Sequence, residues 1–583
     1  MKFLYLFLIL YIITIQIQAQ KPEDKYLSNK TLTYQETIDY YAKLAKMHPQ
    51  AKLFEYEKTD AGFPLHLFVI SQDKDFNPAS LSKKNKRIIL INNGIHAGEP
   101  CGIDASINLA KDLLTNKNNA AELLNNTVVC IIPVYNVGGS INRGCCSRAN
   151  QNGPEEYGFR GNARNLDLNR DFIKCDSQNS HAFTTIFQTW KPDIFIDTHS
   201  TNGADYQHAM TLIPTQHNKL HPLLGNYLKE TMLPDLYKKM QIKNYPMCPY
   251  VNSVNETPDG GIADFLETPR YSTGYAALFN TIGFVTEAHM LKPFPERVKS
   301  TYAFLISMLE IVNKENDKLG KLKKEADNDI ISKTEFPLSW VIDTTKHEKF
   351  NFMGYEAKHK KSNVTGMERL YYDTLAPYTK GINYFSSYNT EISVKKPEYY
   401  IVPQAWKEVV ERLKWNKVEM KRLQKDTALI VQVYYLEDYK TSEKPFEGHY
   451  LHSNIKTRTE TSSINFNKGD YVIQVNQSNN RYIVETLEPQ ATDGFFAWNF
   501  FDEILQQKEW FSAYVFEEKA EEILRNNPGI KKEFEEKKKQ DAQFASNSMS
   551  QLYFIYQRSI YFEKVYLRHP IARINVRMNL PLE

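Results

Sequence analysis

The sequence predicts an α/β protein with a mostly parallel mixed sheet and helices on both faces, followed by a β-rich accessory domain and a helical tail. Up to about residue 316, short and nearly continuous apolar runs alternate with amphipathic helical patterns, as is typical of strands buried on both faces of a sheet. From about residue 325, Tyr-rich stretches of alternating polarity indicate antiparallel strands. The 583 residues exceed the size of one hydrophobic core, so we expect more than one domain.

The N-terminal stretch MKFLYLFLILYIITIQIQAQ combines a lysine, an apolar run from Phe3 to about Ile15 and a polar flank. This pattern predicts a signal peptide over 1–19 and an exported protein, periplasmic or extracellular. The run is shorter than the ~20 apolar residues of a membrane span, and an uncleaved anchor is the alternative. No later stretch is long and apolar enough to span a bilayer, so no integral membrane span is expected after signal removal.

The α/β domain is expected over 20–320. It opens with an amphipathic pattern at 33–49 that predicts a helix ended by Pro49. Strands are expected at 65–71, 87–93, 127–136, 192–200 and 282–289, and helices at 102–116, 180–192, 220–240 and 295–316. Helices between strands form the crossovers of a parallel sheet.

The C-terminal half contains no convincing catalytic constellation. The β-rich accessory domain is expected over 325–500, where stretches 427–439 and 469–489 alternate in polarity. The segment 501–583 is expected to be mainly helical. Its charged run at 517–540 predicts exposed helices interrupted at 526–528.

Charge and cysteine content exclude some classes of function. The chain has 72 Lys plus Arg against 69 Asp plus Glu, and this net charge of +3 does not indicate a nucleic-acid partner. Six cysteines lie between residues 101 and 248. An exported chain permits disulfides, but the spacing leaves the pairing open and matches no Cys-type zinc site. The oligomeric state is not indicated.

Side chains suited to metal binding lie where predicted strands end. His96 and Glu99 follow strand 87–93, and His199 lies at the end of strand 192–200. Ligands of parallel α/β sheets bind beyond the carboxyl ends of the strands. Two imidazoles and one carboxylate form a catalytic zinc shell that keeps an open position.

A zinc-ligating histidine also needs a hydrogen-bond acceptor for its outer ring nitrogen. Asp167 and Asp197 are the candidates for this role. Glu287, at the end of strand 282–289, is a carboxylate that can take a proton from water and return it to a leaving amine. Taken alone, each of these residues is also explained by a purely structural role. Together they predict a hydrolytic zinc site.

The motifs HAGE (96–99), NLDLNRDF (165–172), DTHS (197–200) and FVTEAH (284–289), in this order, resemble the M14 family of zinc metallocarboxypeptidases, which are carboxypeptidase A-like. The resemblance covers about 33–315. It implies one Zn²⁺ per chain, with His96, Glu99 and His199 as ligands and Glu287 as the general base.

The resemblance also implies how a peptide with a free C-terminus binds. Asn169 and Arg170 match the pair that receives the terminal carboxylate, and Asp167 matches the aspartate behind the metal site. Arg148 best matches the arginine that polarises the scissile carbonyl. Arg143, Arg160 and Arg164 remain alternatives for Arg148.

One departure from the family concerns the tyrosine that covers the substrate. Phe265 stands where that tyrosine is usual. Tyr271 and Tyr275 are the substitute candidates, and core packing is the alternative for both. The pocket that selects the terminal side chain is expected to be lined from about 245–285, with its preference open.

The leading hypothesis is therefore an exported zinc carboxypeptidase. One alternative is a zinc amidase that acts on peptidoglycan stem peptides or other non-protein amides, because an Asn–Arg pair serves any terminal carboxylate. A second alternative is an inactive binding protein that functions through its β-rich C-terminal domain.

Overall fold

The computed structural model describes residues 21–583, and the expected signal peptide at 1–19 lies outside the described residues. Within residues 21–583, no helix combines the length and apolar character needed to cross a membrane. The α-helices are α1 (Tyr34–Met47), α2 (Pro78–Lys83), α3 (Cys101–Leu114), α4 (Val137–Ile141), α5 (Gln178–Trp190), α6 (Pro222–Tyr227), α7 (Leu233–Ile242), α8 (Ser272–Ala277), α9 (Phe294–Lys314), α10 (Asn316–Ser332), α11 (Lys407–Trp415), α12 (Asn480–Leu487), α13 (Ala513–Asn526), α14 (Pro528–Gln540), α15 (Ala542–Ala545) and α16 (Ser548–Tyr556).

The strands fall into a central sheet and three smaller sheets. They are β1 (Ala51–Lys58), β2 (Pro64–Ile70), β3 (Arg87–Asn93), β4 (Thr127–Ile132), β5 (Ile194–Thr201), β6 (Met210–Pro214), β7 (Cys248–Pro249), β8 (Ile262–Ala263), β9 (Ile282–His289), β10 (Glu335–Ile342), β11 (Glu348–Lys361), β12 (Glu368–Phe385), β13 (Tyr388–Lys395), β14 (Tyr399–Val402), β15 (Lys421–Arg422), β16 (Thr427–Thr441), β17 (His452–Phe466), β18 (Tyr471–Gln474) and β19 (Ala572–Ile574).

The central sheet has eight strands in the order β1-β2-β4-β3-β5-β9-β6-β7. The middle strands β4, β3, β5 and β9 are mutually parallel, whereas β1, β2 and β6 pair antiparallel with their neighbours toward the middle of the sheet. Helices cover both faces. The predicted fold class, a mostly parallel mixed α/β sheet followed by a β-rich region and a helical C-terminus, is confirmed.

Alternate residues of the middle strands enter two different cores. Ile89 and Ile91 of β3 join a cluster with residues of α1, α3, α7 and α9 on one face. Ile88 and Leu90 join a second cluster on the other face, with residues of α5 and α8. Successive side chains of a strand point to opposite faces, so a strand covered on both sides is continuously apolar, as the sequence shows.

The helix expected at 33–49 runs from Tyr34 to Met47. It begins at a capping box, in which the Thr33 side chain accepts from the Glu36 backbone N–H and the Glu36 carboxylate accepts from the Thr33 backbone N–H. It ends two residues before Pro49, because the residue before a proline is disfavoured in the helical conformation.

The C-terminal half contains a six-stranded sheet in the order β15-β18-β14-β19-β16-β17. The prediction of a purely β stretch at 469–489 is wrong in its second half, because α12 occupies 480–487 with every residue buried. Its central residues Tyr482, Ile483 and Val484 are aromatic or β-branched, which locally favours a strand, and packing in the second core overrides this preference. The predicted helix interruption at 526–528 is confirmed, since α13 ends at Asn526 and α14 begins at Pro528.

The C-terminal half shares a core with the central sheet. The second cluster continues from β3 and α5 into Tyr400, Tyr482 and Trp498. Arg412 of α11 lies 2.7 Å from Asp176. Strand β8 pairs with β12, so the sheet hydrogen bonding also crosses the expected boundary near 320.

These contacts bear on the division into 20–320, 325–500 and 501–583. We propose that the three segments are parts of one folded body, because the second core contains residues from each of them. The cysteines lie within the first segment. Cys145 and Cys146 form a disulfide, and the other four are buried and unpaired.

We expect the fragment 20–320 to aggregate when it is produced without the rest of the chain. Removing the C-terminal half would uncover Tyr275, whose hydroxyl donates to Asn416, and Phe279, whose ring stacks on Tyr482, and exposed apolar patches of this kind promote association. Size-exclusion chromatography of the fragment against the chain 21–583 measures this. A monodisperse fragment with full activity would contradict the single-body proposal.

Candidate active site

The predicted site residues meet at one edge of the central sheet. His199 of β5 and Glu287 of β9 are direct partners in the parallel register. His96 and Glu99 lie in the tight turn after β3, where the Glu99 N–H donates to the His96 carbonyl at 2.9 Å. Gly94 opens this turn with φ +66°, a conformation that glycine adopts without strain.

The two histidines and Glu99 offer ligand atoms that all lie within 4.8 Å of one another. Both imidazoles turn Nδ1 inward. His96 Nδ1 lies 3.1 Å from Glu99 Oε1, His199 Nδ1 lies 3.2 Å from Glu99 Oε2, and the two Nδ1 atoms are 3.2 Å apart. All three residues are buried. Such a set matches a zinc shell of two imidazoles and one carboxylate.

The outer ring nitrogens are held by the two expected aspartates. His96 Nε2 lies 3.0 Å from Asp167 Oδ1, and His199 Nε2 lies 3.0 Å from Asp197 Oδ2. A carboxylate behind each ligating imidazole fixes the ring orientation and raises its basicity. The donor set and its supports therefore fit a zinc ion.

Burial and neighbouring charges shift the pKa values of the side chains in the site. Burial opposes ionisation of Glu99, but His96 and Arg148 outweigh it and hold the pKa of Glu99 well below its usual value. Burial lowers the pKa of His199, and Asp197 and Glu99 more than reverse this and raise it. Burial also raises the pKa of Glu287 to about 8. Its Oε2 is buried without a hydrogen-bond partner in the described part of the chain.

Two of the four candidate arginines line the cavity. Arg148 Nη2 lies 2.9 Å from Glu99 Oε1, and Arg160 Nη2 lies 2.8 Å from Asp167 Oδ2. The other two lie elsewhere: Arg143 donates to the Thr31 carbonyl, and Arg164 donates to the Asp176 carbonyl. A Cβ at Gly98 would lie 2.9 Å from the backbone carbonyl oxygen of Gly158 and 2.7 Å from Arg148 Cδ, so the turn requires glycine at this position.

Asn169 and Arg170 also line the cavity. They lie on a short 3-10 turn, Leu168–Arg170, which Asp167 caps by accepting from the Asn169 N–H at 2.9 Å. Asn169 Oδ1 has no hydrogen-bond partner among the described residues. The Arg170 guanidinium lies 4.5 Å from the centre of the Tyr271 ring, and its Nη1 donates to the Asn169 carbonyl at 2.8 Å, so the other N–H groups of this five-donor side chain are the ones that can bind a carboxylate.

The two candidate tyrosines have different surroundings. Tyr271 lines the cavity. Tyr275 is fully buried in the second core, and its hydroxyl donates to Asn416 at 2.6 Å. Helix α8 turns Tyr275 toward α5 and the C-terminal half, so this residue does not reach the cavity and the prediction that it binds substrate is wrong.

The structure also brings to the cavity residues to which the sequence analysis assigned no role in the site. Tyr250, Phe265 and Glu267 line the cavity and lie in the 245–285 segment that was expected to form the selective pocket. Glu447, from the C-terminal half, accepts from the Asp167 backbone N–H at 2.7 Å. No local sequence signal could identify Glu447, because it approaches the site only when the two halves pack together.

The cavity has a volume of about 230 Å³, just below the ~300–1,000 Å³ of most small-molecule sites. A cavity of this size suits the terminal residue of one peptide. At a single edge of the sheet it brings together a cluster that could hold a metal ion, a carboxylate oxygen of Glu287 without a hydrogen-bond partner in the part of the chain described, and the Arg170 guanidinium. This combination suits hydrolysis next to a terminal carboxylate.

Comparison with known proteins gives one family match. Residues 37–297 match the family model of the zinc carboxypeptidases, Peptidase_M14. Carboxypeptidase 2 of Trichophyton rubrum is 21% identical over 456 residues, which cover 74% of this chain and 77% of that protein. Carboxypeptidase 2 of Trichophyton equinum is 20% identical over 454 residues, with the same coverage. Both alignments are longer than the family-model segment and therefore extend beyond it.

Solved carboxypeptidase structures also align with part of the chain. Carboxypeptidase A from Helicoverpa armigera is 14% identical with a TM-score of 0.38, over 52% of this chain and 80% of that one. The metallo-carboxypeptidase from Burkholderia cenocepacia is 16% identical with a TM-score of 0.37, over 48% and 70%.

We expect His199→Ala to lose zinc. The substitution removes one of three ligands, whereas His221→Ala, which removes a buried histidine paired with Asp329 at 2.8 Å, serves as the matched control and should retain one zinc per chain. Elemental analysis of both purified variants measures the metal. Full zinc content in His199→Ala would contradict the assigned ligand set.

Proposed function

Because residues 37–297 belong to the M14 family of zinc carboxypeptidases, we propose that this protein is an exported enzyme that hydrolyses the C-terminal peptide bond of peptides, with Glu287 as general base. The observation that carries the proposal is one cavity lined by the His96, Glu99 and His199 cluster, by Glu287 and by Arg170. Among residues 21–583, Glu287 Oε2 has no hydrogen-bond partner and no carboxylate forms an ion pair with Arg170. Export is supported by the apolar N-terminal stretch at 3–15.

Substrate binding begins at the terminal carboxylate. Arg170 can donate two parallel N–H bonds to it, a geometry that distinguishes a chain end from an internal peptide bond. Asn169 adjoins Arg170 and can donate from its side-chain amide. Tyr271 stacks on Arg170 and covers one side of the bound end. Together these contacts place the last peptide bond over the ligand cluster.

His96, Glu99 and His199 would hold the zinc ion, with Asp167 and Asp197 orienting the imidazoles. When bound, zinc polarises a carbonyl and lowers the pKa of water toward neutrality. Arg148 can donate to the oxygen of the scissile carbonyl and stabilise the negative charge that develops there.

Glu287 moves the proton in this proposal. Its carboxylate takes a proton from the attacking water and transfers it to the leaving amine, so one group serves as base and then as acid. His96, Glu99 and His199 beside it are buried, and interactions between buried charges are stronger than in water. The enzyme assignment argues against the binding-protein alternative. The peptidoglycan amidase remains a second candidate, because Arg170 would serve any terminal carboxylate.

Glu287→Gln should lower kcat by about 10²–10⁴-fold, the usual contribution of general acid–base catalysis, and leave the zinc content unchanged. The amide is nearly the same size as the carboxylate but cannot accept the proton. Release of the terminal amino acid from peptides at saturating zinc measures kcat, and elemental analysis measures zinc. A variant that keeps most of its turnover would exclude Glu287 as the base.

Arg170→Ala should lower kcat/KM about 10- to 100-fold for peptides with a free C-terminus, since a hydrogen bond to a charged group contributes roughly 1.5–3 kcal/mol. The same peptides with an amidated C-terminus should be poor substrates for both the native protein and the variant. Muropeptides tested in parallel separate the two candidate functions. An equal loss on free and amidated peptides would show that Arg170 does not recognise the carboxylate.

A further inference from the structure

A second cavity lies at the outer edge of the central sheet, between strands β6 and β7, helix α7 and the hairpin of β11 and β12. Its volume is about 500 Å³, within the ~300–1,000 Å³ of most small-molecule sites. Among the described residues, none that lines it also lines the active-site cavity. Asp264 contributes a carboxyl group to its lining, and we call it the Asp264 cavity.

Asp264 is a buried acid without a countercharge. It is only 5% exposed, and no Lys, Arg or His side chain in the described part of the chain lies within ion-pair distance of it. Its Oδ1 accepts from the Phe265 backbone N–H at 3.1 Å, and the Tyr384 hydroxyl also hydrogen-bonds to the carboxyl group. Both partners are neutral. Because a buried carboxylate is costly without a positive charge beside it, burial raises the pKa of Asp264 to about 7.

The basic side chains that line the same cavity do not neutralise Asp264. Lys229 is paired with Glu348 at 2.8 Å, and Lys349 is exposed to solvent. Burial lowers the pKa of His217 to about 4, so this imidazole is neutral near pH 7. A cation that entered the cavity would therefore be the first positive charge beside Asp264, and it would favour the ionised carboxylate.

The walls of the Asp264 cavity suit an apolar body that carries a positive charge. Three aromatic rings line the cavity, those of Tyr237, Phe350 and Tyr384. The faces of such rings attract cations. Further apolar surface comes from Pro214, Leu228, Leu233 and Pro249. A carboxyl group among aromatic and aliphatic walls matches an organic ammonium ion.

The local fold does not need a charged group at position 264. The Asp264 backbone N–H donates to the Phe385 carbonyl at 2.7 Å, and its backbone carbonyl accepts from the Tyr388 hydroxyl at 2.9 Å. These contacts hold the segment after β8 and do not involve the carboxyl group. The side-chain contacts require an acceptor oxygen, which an asparagine also has. A structural role therefore leaves the cost of burying an acid here unexplained.

We propose that the Asp264 cavity binds a small organic amine, with the ammonium group against the Asp264 carboxylate and the apolar body against the three aromatic rings. This site goes beyond the proposed function, because it requires neither zinc nor a peptide. It adjoins the active-site cavity, since Phe265, whose N–H donates to Asp264, lines that cavity.

The test uses two probes with the same skeleton, 3-phenylpropylamine and 3-phenylpropan-1-ol. The first carries an ammonium group where the second carries a hydroxyl. Isothermal titration calorimetry measures the Kd of each probe for the zinc-loaded chain 21–583 and for three variants. Asp264→Asn removes the proposed charge. Asp259→Asn is the matched control, because Asp259 is an exposed aspartate of the same segment and lines neither cavity. Glu267→Gln changes a carboxyl group of the active-site cavity and shows whether the amine binds there instead.

The native protein should bind the amine about 10- to 100-fold more tightly than the alcohol, the effect of a hydrogen bond between charged groups. Asp264→Asn should bring the two Kd values close together, whereas Asp259→Asn and Glu267→Gln should keep the native ratio. Equal Kd values for both probes in the native protein would overturn the inference. A ratio that is lost in Glu267→Gln and kept in Asp264→Asn would place the amine in the active-site cavity and would also overturn it.

Leu233→Trp provides a second variant if Asp264→Asn does not fold. Leu233 lines the Asp264 cavity and is partly buried, and an indole ring at this position would occupy the space of the ligand. Loss of amine binding in Leu233→Trp would support the inference, and an unchanged Kd for the amine would overturn it. Neither result bears on the proposed peptidase activity, which is measured by release of amino acids from peptides.

Discussion

The register of three neighbouring parallel strands is the constraint on which the site depends. Strands β3, β5 and β9 are hydrogen-bonded side by side, with Asn93 opposite Thr198 and His199 opposite Glu287. A shift of one residue would turn His199 to the other face of the sheet. Such a shift would also exchange the side chains that fill the two cores, Ile89 and Ile91 on one face and Ile88 and Leu90 on the other, and the close packing of both cores opposes it.

The same edge of the sheet contains more buried charged side chains than a protein interior usually does. Ion pairs between these side chains make this possible. Buried charges are costly unless each has a partner. Glu99 has two imidazoles and Arg148 around it, and Asp167 has His96 and Arg160. The groups that lack partners are those assigned to substrate or proton transfer. In this cavity, the side chains without a partner among the described residues are therefore the ones to which we assign a function.

The C-terminal half is structurally joined to the site although it supplies none of the proposed metal ligands. It covers the second face of the central sheet, and Glu447 holds the backbone of Asp167, which in turn orients His96. Asp176, close to the Asn169–Arg170 turn in sequence, is bound by Arg412 and by His449 at 2.6 Å. The Leu168–Arg170 turn, which we propose binds substrate, is thus held in place by contacts from the C-terminal half.

The sequence by itself determined the fold class, the middle strands and the members of the metal cluster. Buried strands are continuously apolar, and the ligand types follow the strand ends in a fixed order, so local pattern is enough. Tertiary structure alone decided which arginines face the cavity, that Tyr271 and not Tyr275 lines it, and that Glu267 and Glu447 belong to the site. These choices depend on side-chain direction and on contacts between residues as far apart as Asp167 and Glu447. Alternation of polarity along the chain carries no information about such distant pairs, because packing between the two halves creates them.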